Sequence, residues 1–365
     1  MENVLDACQS QPLLYSDRGD RICNQPNETF GESDAEDPSS FADAFTQSIH
    51  QSSFDLLHHP KTVMNTTGEQ FVNGLDGVRI CYQTFGSATD DAILLLSGGA
   101  QSMLSWHEDF IQLLSHPSSP HFVVRYDNRD TGRSTCYPPA ADGSSQYTMD
   151  ELADDALAIL DELGIQQAHL VGFSLGGGIA YLIAGKKAPH RVKSLSLLST
   201  TAVGPSPRPG DNVPGIEPEL AAKMQAAPIP ADWHDRDQVV AFLCYFGRCM
   251  AHVAPSAAEE AEDADLARRV FERAEANGTE VRSFFNQGGV AHAPWPRDAL
   301  RGILCPTIII HGRHDQNVPL PHAQMLHEDI KGSRLLILDD TAHELPRRNW
   351  KTVVDAILSV VHGGR

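Results

Sequence analysis

Three side chains in this sequence have the types and the order needed to break an acyl bond: Ser174, Asp315 and His343. A serine hydroxyl is a weak nucleophile until a neighbouring base takes its proton, and that base works only when an acid orients it. Ser174 sits in Val171-Gly-Phe-Ser-Leu-Gly-Gly177, a Gly-x-Ser-x-Gly pattern. The pattern carries chemistry only between a strand and a helix, where the chain makes a sharp, strained turn with no room for side chains on either flank. Both neighbours are predicted here: an apolar strand over Ala168–Phe173 and a helix over Leu175–Lys187. Such a turn lifts the hydroxyl above the sheet and points the next helix amides at developing negative charge.

Position, not residue type, has to select the base, because the chain holds 17 histidines. Nucleophiles of this strand–turn–helix kind are followed in the chain first by the acid and then by the histidine. The predicted strand Thr307–His311 runs into Gly312-Arg-His-Asp315, and the predicted strand Arg334–Leu338 runs into Asp339-Asp-Thr-Ala-His343. Asp315 and His343 thus follow the C-terminal ends of strands, on the rim that carries Ser174. His311 falls inside its strand and His314 precedes the acid, so neither is selected. The other usual place for the acid is the loop after Ser194–Leu198, which reads Ser199-Thr-Thr-Ala-Val and has no carboxylate. Asp339 and Asp340 read as solvated or capping groups.

A tetrahedral oxyanion needs two backbone amides aimed at one point. Leu175, directly after the serine, supplies one. The loop Ser97-Gly-Gly-Ala100 after the predicted strand Ala92–Leu96 supplies the other, from Gly99 or Ala100, with Gly99 the first choice. The run Asp127-Asn-Arg-Asp-Thr-Gly-Arg-Ser134 follows the predicted strand Phe122–Tyr126 and reads as structural. Arg129, with Asp127 or Asp130, can pin that loop beneath the rim, and Gly132 suits a turn.

The elements that must hold these groups alternate between strand and helix from about residue 68, as in an α/β fold with a mostly parallel sheet flanked by helices. Further strands are predicted at Val78–Thr84 and helices at Pro321–Glu328 and Asn349–His362. Thr148-Met-Asp-Glu151 is a capping box opening a helix that stops at Gly164. The alternation breaks at residues 203–297, which open with Gly/Pro-rich VGPSPRPGDNVPG and continue as helical patterns at Glu219–Gln225, Arg236–Met250 and Ala257–Ala276. An all-helical insert between two halves of a sheet is expected as a lid over the site. Its aromatic residues Trp233, Phe242, Tyr245, Phe246, Phe284, Phe285 and Trp295 divide between its own core and a pocket wall, without individual assignment. The expected organisation is an extension over 1–60, a core over 61–202 and 298–365, and the insert over 203–297.

Composition bounds what this machinery meets. The formal net charge is −20, which repels phosphate backbones and anionic lipid heads, so nucleic acid and membrane partners are not expected and a small-molecule substrate is. The seven cysteines form no C-x-x-C or C-x-x-H cluster, so neither a disulfide framework nor a metal site is indicated, and reduced thiols fit a cytoplasmic protein. No apolar stretch reaches the roughly 20 residues of a membrane span. The first fifty residues hold ten acidic and two basic side chains without an apolar period, so residues 1–60 read as a solvated tail, the alternative being a strap on the core around Phe41, Phe45 and Phe54.

Taken together, SGGAQSMLSW, RYDNRDTGRS, VGFSLGG and HGRHD…DDTAHELP resemble the aclacinomycin-methylesterase-like branch of the α/β hydrolases, over residues 70–202 and 300–362. The resemblance implies the α/β-hydrolase fold and cofactor-free hydrolysis of a carboxylic ester, such as the methyl ester of a polyketide. It also implies triad roles for Ser174, Asp315 and His343, with Gly99 and Leu175 as the oxyanion hole. The acidic extension lies outside the family pattern, and the insert matches only in placement. A lactonase, a thioesterase or a carbon–carbon bond hydrolase would carry the same triad. Epoxide and haloalkane hydrolases need a carboxylate where Ser174 stands, and proline iminopeptidases usually carry Trp where this chain has Leu175. A hydrolase-derived receptor for a small apolar ligand is the reading from a different class.

Overall fold

Five-residue runs such as Ala92-Ile-Leu-Leu-Leu96 have no polar face, so they are stable only where both faces of a sheet are covered. The computed structural model describes residues 66–138 and 146–363. The extension over 1–60, with the strap contacts at Phe41, Phe45 and Phe54, lies outside the described residues. The strands are β1 (Gln70–Asn73), β2 (Arg79–Phe85), β3 (Ala92–Leu96), β4 (Phe122–Tyr126), β5 (Ala168–Phe173), β6 (Val192–Leu198), β7 (Thr307–Gly312) and β8 (Arg334–Leu338). They form one eight-stranded sheet in the order β1-β2-β4-β3-β5-β6-β7-β8. β2 runs antiparallel to both its neighbours, and β3 to β8 are parallel.

β3, β4 and β5 are buried along their whole length. Leu94, Leu95 and Leu96 are 0% exposed, and burying each such side chain contributes about 1.5–3 kcal/mol. The helices that cover the sheet are α1 (Glu108–Leu114), α2 (Met149–Glu162), α3 (Leu175–Leu182), α8 (Pro321–Asp329) and α9 (Trp350–Val361). At the start of α2 the Glu151 carboxylate accepts the Thr148 amide at 2.6 Å, which satisfies a donor the helix leaves open. Gly164, at φ 67°, closes that segment.

Between β6 and β7 the described residues contain no strand. They hold α4 (Pro218–Gln225), α5 (Arg236–Cys249), α6 (Ala257–Ala276), a 3-10 turn over Val281–Gln287 and the short α7 (Gly288–His292). The insert has its own apolar cluster around Trp233, Val239, Phe242, Phe271 and Phe284.

Three elements differ from the sequence reading. β1 has four residues with only Val72 buried, too little for a periodic signal. α1 is a seven-residue helix between turns and was not expected. The helix expected over 175–187 stays α-helical only to Leu182 and continues as a π turn over Ile183–Lys187. There Gly185 packs on backbone, and a Cβ on it would stand 1.9 Å from the Ala299 carbonyl oxygen.

Candidate active site

β5 ends at Phe173 and α3 begins at Leu175, so Ser174 alone turns the chain. Its φ of 51° and ψ of −116° lie where an L side chain is strained. The glycines on either side are required by space. A Cβ at residue 172 would stand 2.3 Å from the Gly176 carbonyl oxygen, and one at 176 would stand 2.2 Å from that of Leu96. The turn is held from β6, where the Leu198 carbonyl accepts the Ser174 amide at 2.8 Å. The loop after β6, which has no carboxylate, braces it instead: the Thr200 hydroxyl donates to the Ser174 carbonyl at 2.7 Å.

Asp315 and His343 converge on this serine from the turns after β7 and β8. His343 Nε2 lies 3.1 Å from Ser174 Oγ, and His343 Nδ1 lies 2.7 Å from Asp315 Oδ2. The other carboxylate oxygen accepts the amides of Asn317 at 3.0 Å and Val318 at 2.8 Å. Burial alone would raise the Asp315 pKa, but the imidazole of His343, followed by His311 and the Val318 amide, outweighs it and holds the carboxyl below its ordinary value. An ionised carboxylate can only accept, so Nδ1 carries the ring proton and Nε2 is left to accept the Ser174 hydroxyl proton. Phe173 flanks the imidazole, with ring centroids 5.2 Å apart. His311 is fully buried in β7 and donates from Nε2 to the Val318 carbonyl at 2.7 Å. His314 is exposed and stacks on His252 of the insert at 3.7 Å.

The two candidate amides of the Ser97–Ala100 loop have different partners. The Ala100 amide donates to Gln287 Oε1 at 2.7 Å, whereas the amides of Gly99 and Leu175 have no acceptor among the described residues. A Cβ on Gly99 would lie 3.8 Å from Leu175 Cδ2, so the loop rests against the residue after the serine. The tight position is Gly98, where a Cβ would stand 2.9 Å from Gln101 Oε1.

Beneath the rim, the run after β4 is a structural platform. Arg129 grips Asp155 of α2 with two bonds, Nε to Oδ2 at 2.6 Å and Nη2 to Oδ1 at 2.9 Å. Asp127 accepts the amides of Met103 at 2.8 Å and Arg133 at 3.0 Å, and pairs with Arg273 of α6 at 2.7 Å. Gly132, at φ 54°, faces that carboxylate so closely that a Cβ would stand 2.3 Å from it. Among the described residues, no group of three or more His, Cys, Asp or Glu is placed to hold a metal ion, and no helix is long and apolar enough to cross a membrane.

Residues 91–236 match the family model described as alpha/beta hydrolase fold. A rhodomycin D methylesterase from Streptomyces sp. (strain C5) is 31% identical over 293 residues, which span 74% of this chain and 91% of that protein. A serine hydrolase from Homo sapiens is 25% identical, over 79% of this chain and 85% of its own. Among solved structures, an esterase from Exiguobacterium antarcticum superposes with a TM-score of 0.64 at 21% identity, covering 81% of this chain and all of that one. The chain belongs to the α/β hydrolases. It falls on their methylesterase-like branch, among the carboxylic ester hydrolases.

Sequence reasoning brought together Ser174, Asp315, His343, Gly99 and Leu175, and the fold of this hydrolase places all five in one neighbourhood. It did not find Gln287, Thr200 or Arg273, because no local motif marks a residue that acts by reaching another part of the chain. Nor did it foresee that the insert holds the histidine turn: the Met250 carbonyl accepts the His343 amide at 3.1 Å, and the His252 amide donates to Glu344 at 3.0 Å. The insert aromatics turn out to be mostly its own core. Trp233, Phe242 and Phe284 are buried there with Tyr245, Phe246 and Phe285 packed on them. Trp295 instead joins the main core, against Tyr181 at 6.4 Å and over Gly178, where a Cβ would stand 2.4 Å from its ring.

Proposed function

We propose that this hydrolase cleaves a carboxylic ester of an apolar small molecule, the methyl ester or lactone of a polyketide-like acid, through an acyl-enzyme on Ser174. In this reading His343 takes the hydroxyl proton as Ser174 Oγ attacks the ester carbonyl. Asp315 holds the imidazole and stabilises it once charged. The amides of Gly99 and Leu175 receive the oxyanion, His343 returns the proton to the departing alcohol, and water attacks the acyl-enzyme by the same route in reverse. The insert serves as the lid, and the protein works in the cytoplasm on a small-molecule substrate.

The observation that carries the proposal is the bond geometry at His343, with serine on one nitrogen at 3.1 Å and a buried carboxylate on the other at 2.7 Å. The substrate class is supported by the resemblance to a rhodomycin D methylesterase over most of both chains. The test is hydrolysis of matched methyl esters, lactones and thioesters of bulky apolar acids, beside a short p-nitrophenyl ester. The expected result is the highest kcat/KM on a methyl ester or lactone. Turnover confined to thioesters, or to carbon–carbon bonds, would contradict it.

A further inference from the structure

One side chain of the insert hydrogen-bonds to the candidate oxyanion loop. Gln287, at the end of the 3-10 turn over Val281–Gln287, is only 3% exposed and uses both ends of its amide. Oε1 accepts the Ala100 amide at 2.7 Å, and Nε2 donates to the Arg129 carbonyl at 2.8 Å. It thus bridges the loop after β3 and the loop after β4. Ala100 is held at φ 62°, a left-handed conformation that a residue with a Cβ keeps only where its surroundings over-determine it. The bond to Gln287 is one such constraint. Packing of Ala100 on the insert's aromatic cluster is the other. The position a Cβ would take on Gly99 lies 3.8 Å from Gln287 Oε1 and 3.8 Å from Leu175 Cδ2. The Gln287 carboxamide and the residue after the nucleophile therefore flank the same glycine.

We propose that Gln287 is a positioning residue that fixes the oxyanion loop. By taking the Ala100 amide it aims the open Gly99 amide at the reacting carbonyl. It makes the insert a part of the transition-state machinery as well as a cover. The inference rests on the acyl-enzyme reading above. Its physical basis is that such donors act by being in place before charge develops, so a small displacement weakens the transition state more than the bound ester.

The test compares wild type with Gln287→Met, which keeps the length but not the bonds, and with Gln287→Glu. Active sites are titrated with a fluorophosphonate, kcat and KM are measured on a p-nitrophenyl ester, and Ki on a trifluoromethyl ketone whose adduct carries an oxyanion. Gln287→Met should lose about 10- to 100-fold in kcat per titrated site with KM within about 3-fold, and Ki should weaken in parallel. A Glu at this position accepts from Ala100 in either state, but its carboxylate repels the Arg129 carbonyl, and only the protonated acid can donate there and bridge the two loops as Gln does. The ratio of Gln287→Glu to wild-type kcat should therefore rise as pH falls. A purely structural role would reduce the number of titratable sites and the melting temperature while leaving kcat per site within about 3-fold of wild type, which would overturn the proposal. Should Gln287→Met fail to fold, a pH-independent Gln287→Glu ratio would overturn it equally. Wild type that neither labels nor turns over would sink the acyl-enzyme reading and this inference with it. Active wild type with an unaltered variant would sink this inference alone.

Discussion

Two groupings of serine, histidine and aspartate among the described residues stand at opposite ends of the parallel strands. At the C-terminal ends stand Ser174, His343 and Asp315. Near the N-terminal ends, Ser194 of β6 is the cross-strand partner of His169 of β5, with its Oγ 2.7 Å from His169 Nδ1. Asp91, just before β3, lies 3.9 Å from His169 Nε2, too far for a hydrogen bond. His169 lies in β5 and Ser174 just past its end, five residues on, roughly 16 Å at the rise of an extended chain. The differences are informative. Ser194 is in extended strand and buried, with no helix start behind it, whereas Ser174 is strained at φ 51° and heads α3. Asp315 is buried and bonded on both oxygens, whereas Asp91 is 60% exposed. His169 is pushed down to about 4, chiefly by burial and next by Lys193, so it stays neutral as a structural link. Residue types alone do not make a triad. Strain at the serine, a desolvated acid and adjoining free amides do.

Breaking each group in turn should separate the two. Ser174→Ala should cost about 10⁴-fold or more in kcat/KM on the p-nitrophenyl ester, and Ser194→Ala should leave it within about 2-fold. Asp315→Asn should cost about 10³- to 10⁴-fold, because the amide no longer fixes the imidazole tautomer, while Asp91→Asn is silent in the same assay. Salt links show the contrast in stability. Arg129→Met strands Asp155 as a buried charge and should cost about 3–5 kcal/mol by denaturant unfolding. Lys193→Met removes a partly exposed partner of the exposed Asp91 and should cost no more than about 1 kcal/mol.

A pH dependence separates the two ends as well. The folded pKa of His169 lies at about 4, below its ordinary 6.5, so the unfolded chain takes up the proton first. Stability from that site is complete above pH 6.5 and falls as pH drops toward 4, and His169→Gln should flatten that part of the unfolding profile. Asp315, also lowered, contributes stability above the ordinary carboxylate range that is lost as pH falls through its depressed value.

Most of the sheet was legible because β3, β4 and β5 are buried on both faces and read as unbroken apolar runs. The triad was legible because Gly172, Ser174 and Gly176 are spaced by the steric demands of one turn, and because Asp315 and His343 end strands on the same rim. β1 and α1 were not, being too short to impose a period. Gln287 was not, because its two partners, Ala100 and Arg129, are 187 and 158 residues away in the chain. The choice between Gly99 and Ala100 stayed open in the sequence for the same reason, since only the folded chain shows that Ala100 already has an acceptor.

The most direct test of the central claim is mass-spectrometric mapping of a fluorophosphonate adduct on folded protein. The account predicts one modified residue, Ser174, with labelling abolished in Ser174→Ala and unchanged in Ser194→Ala. An adduct on another serine, or labelling that persists in Ser174→Ala, would contradict it.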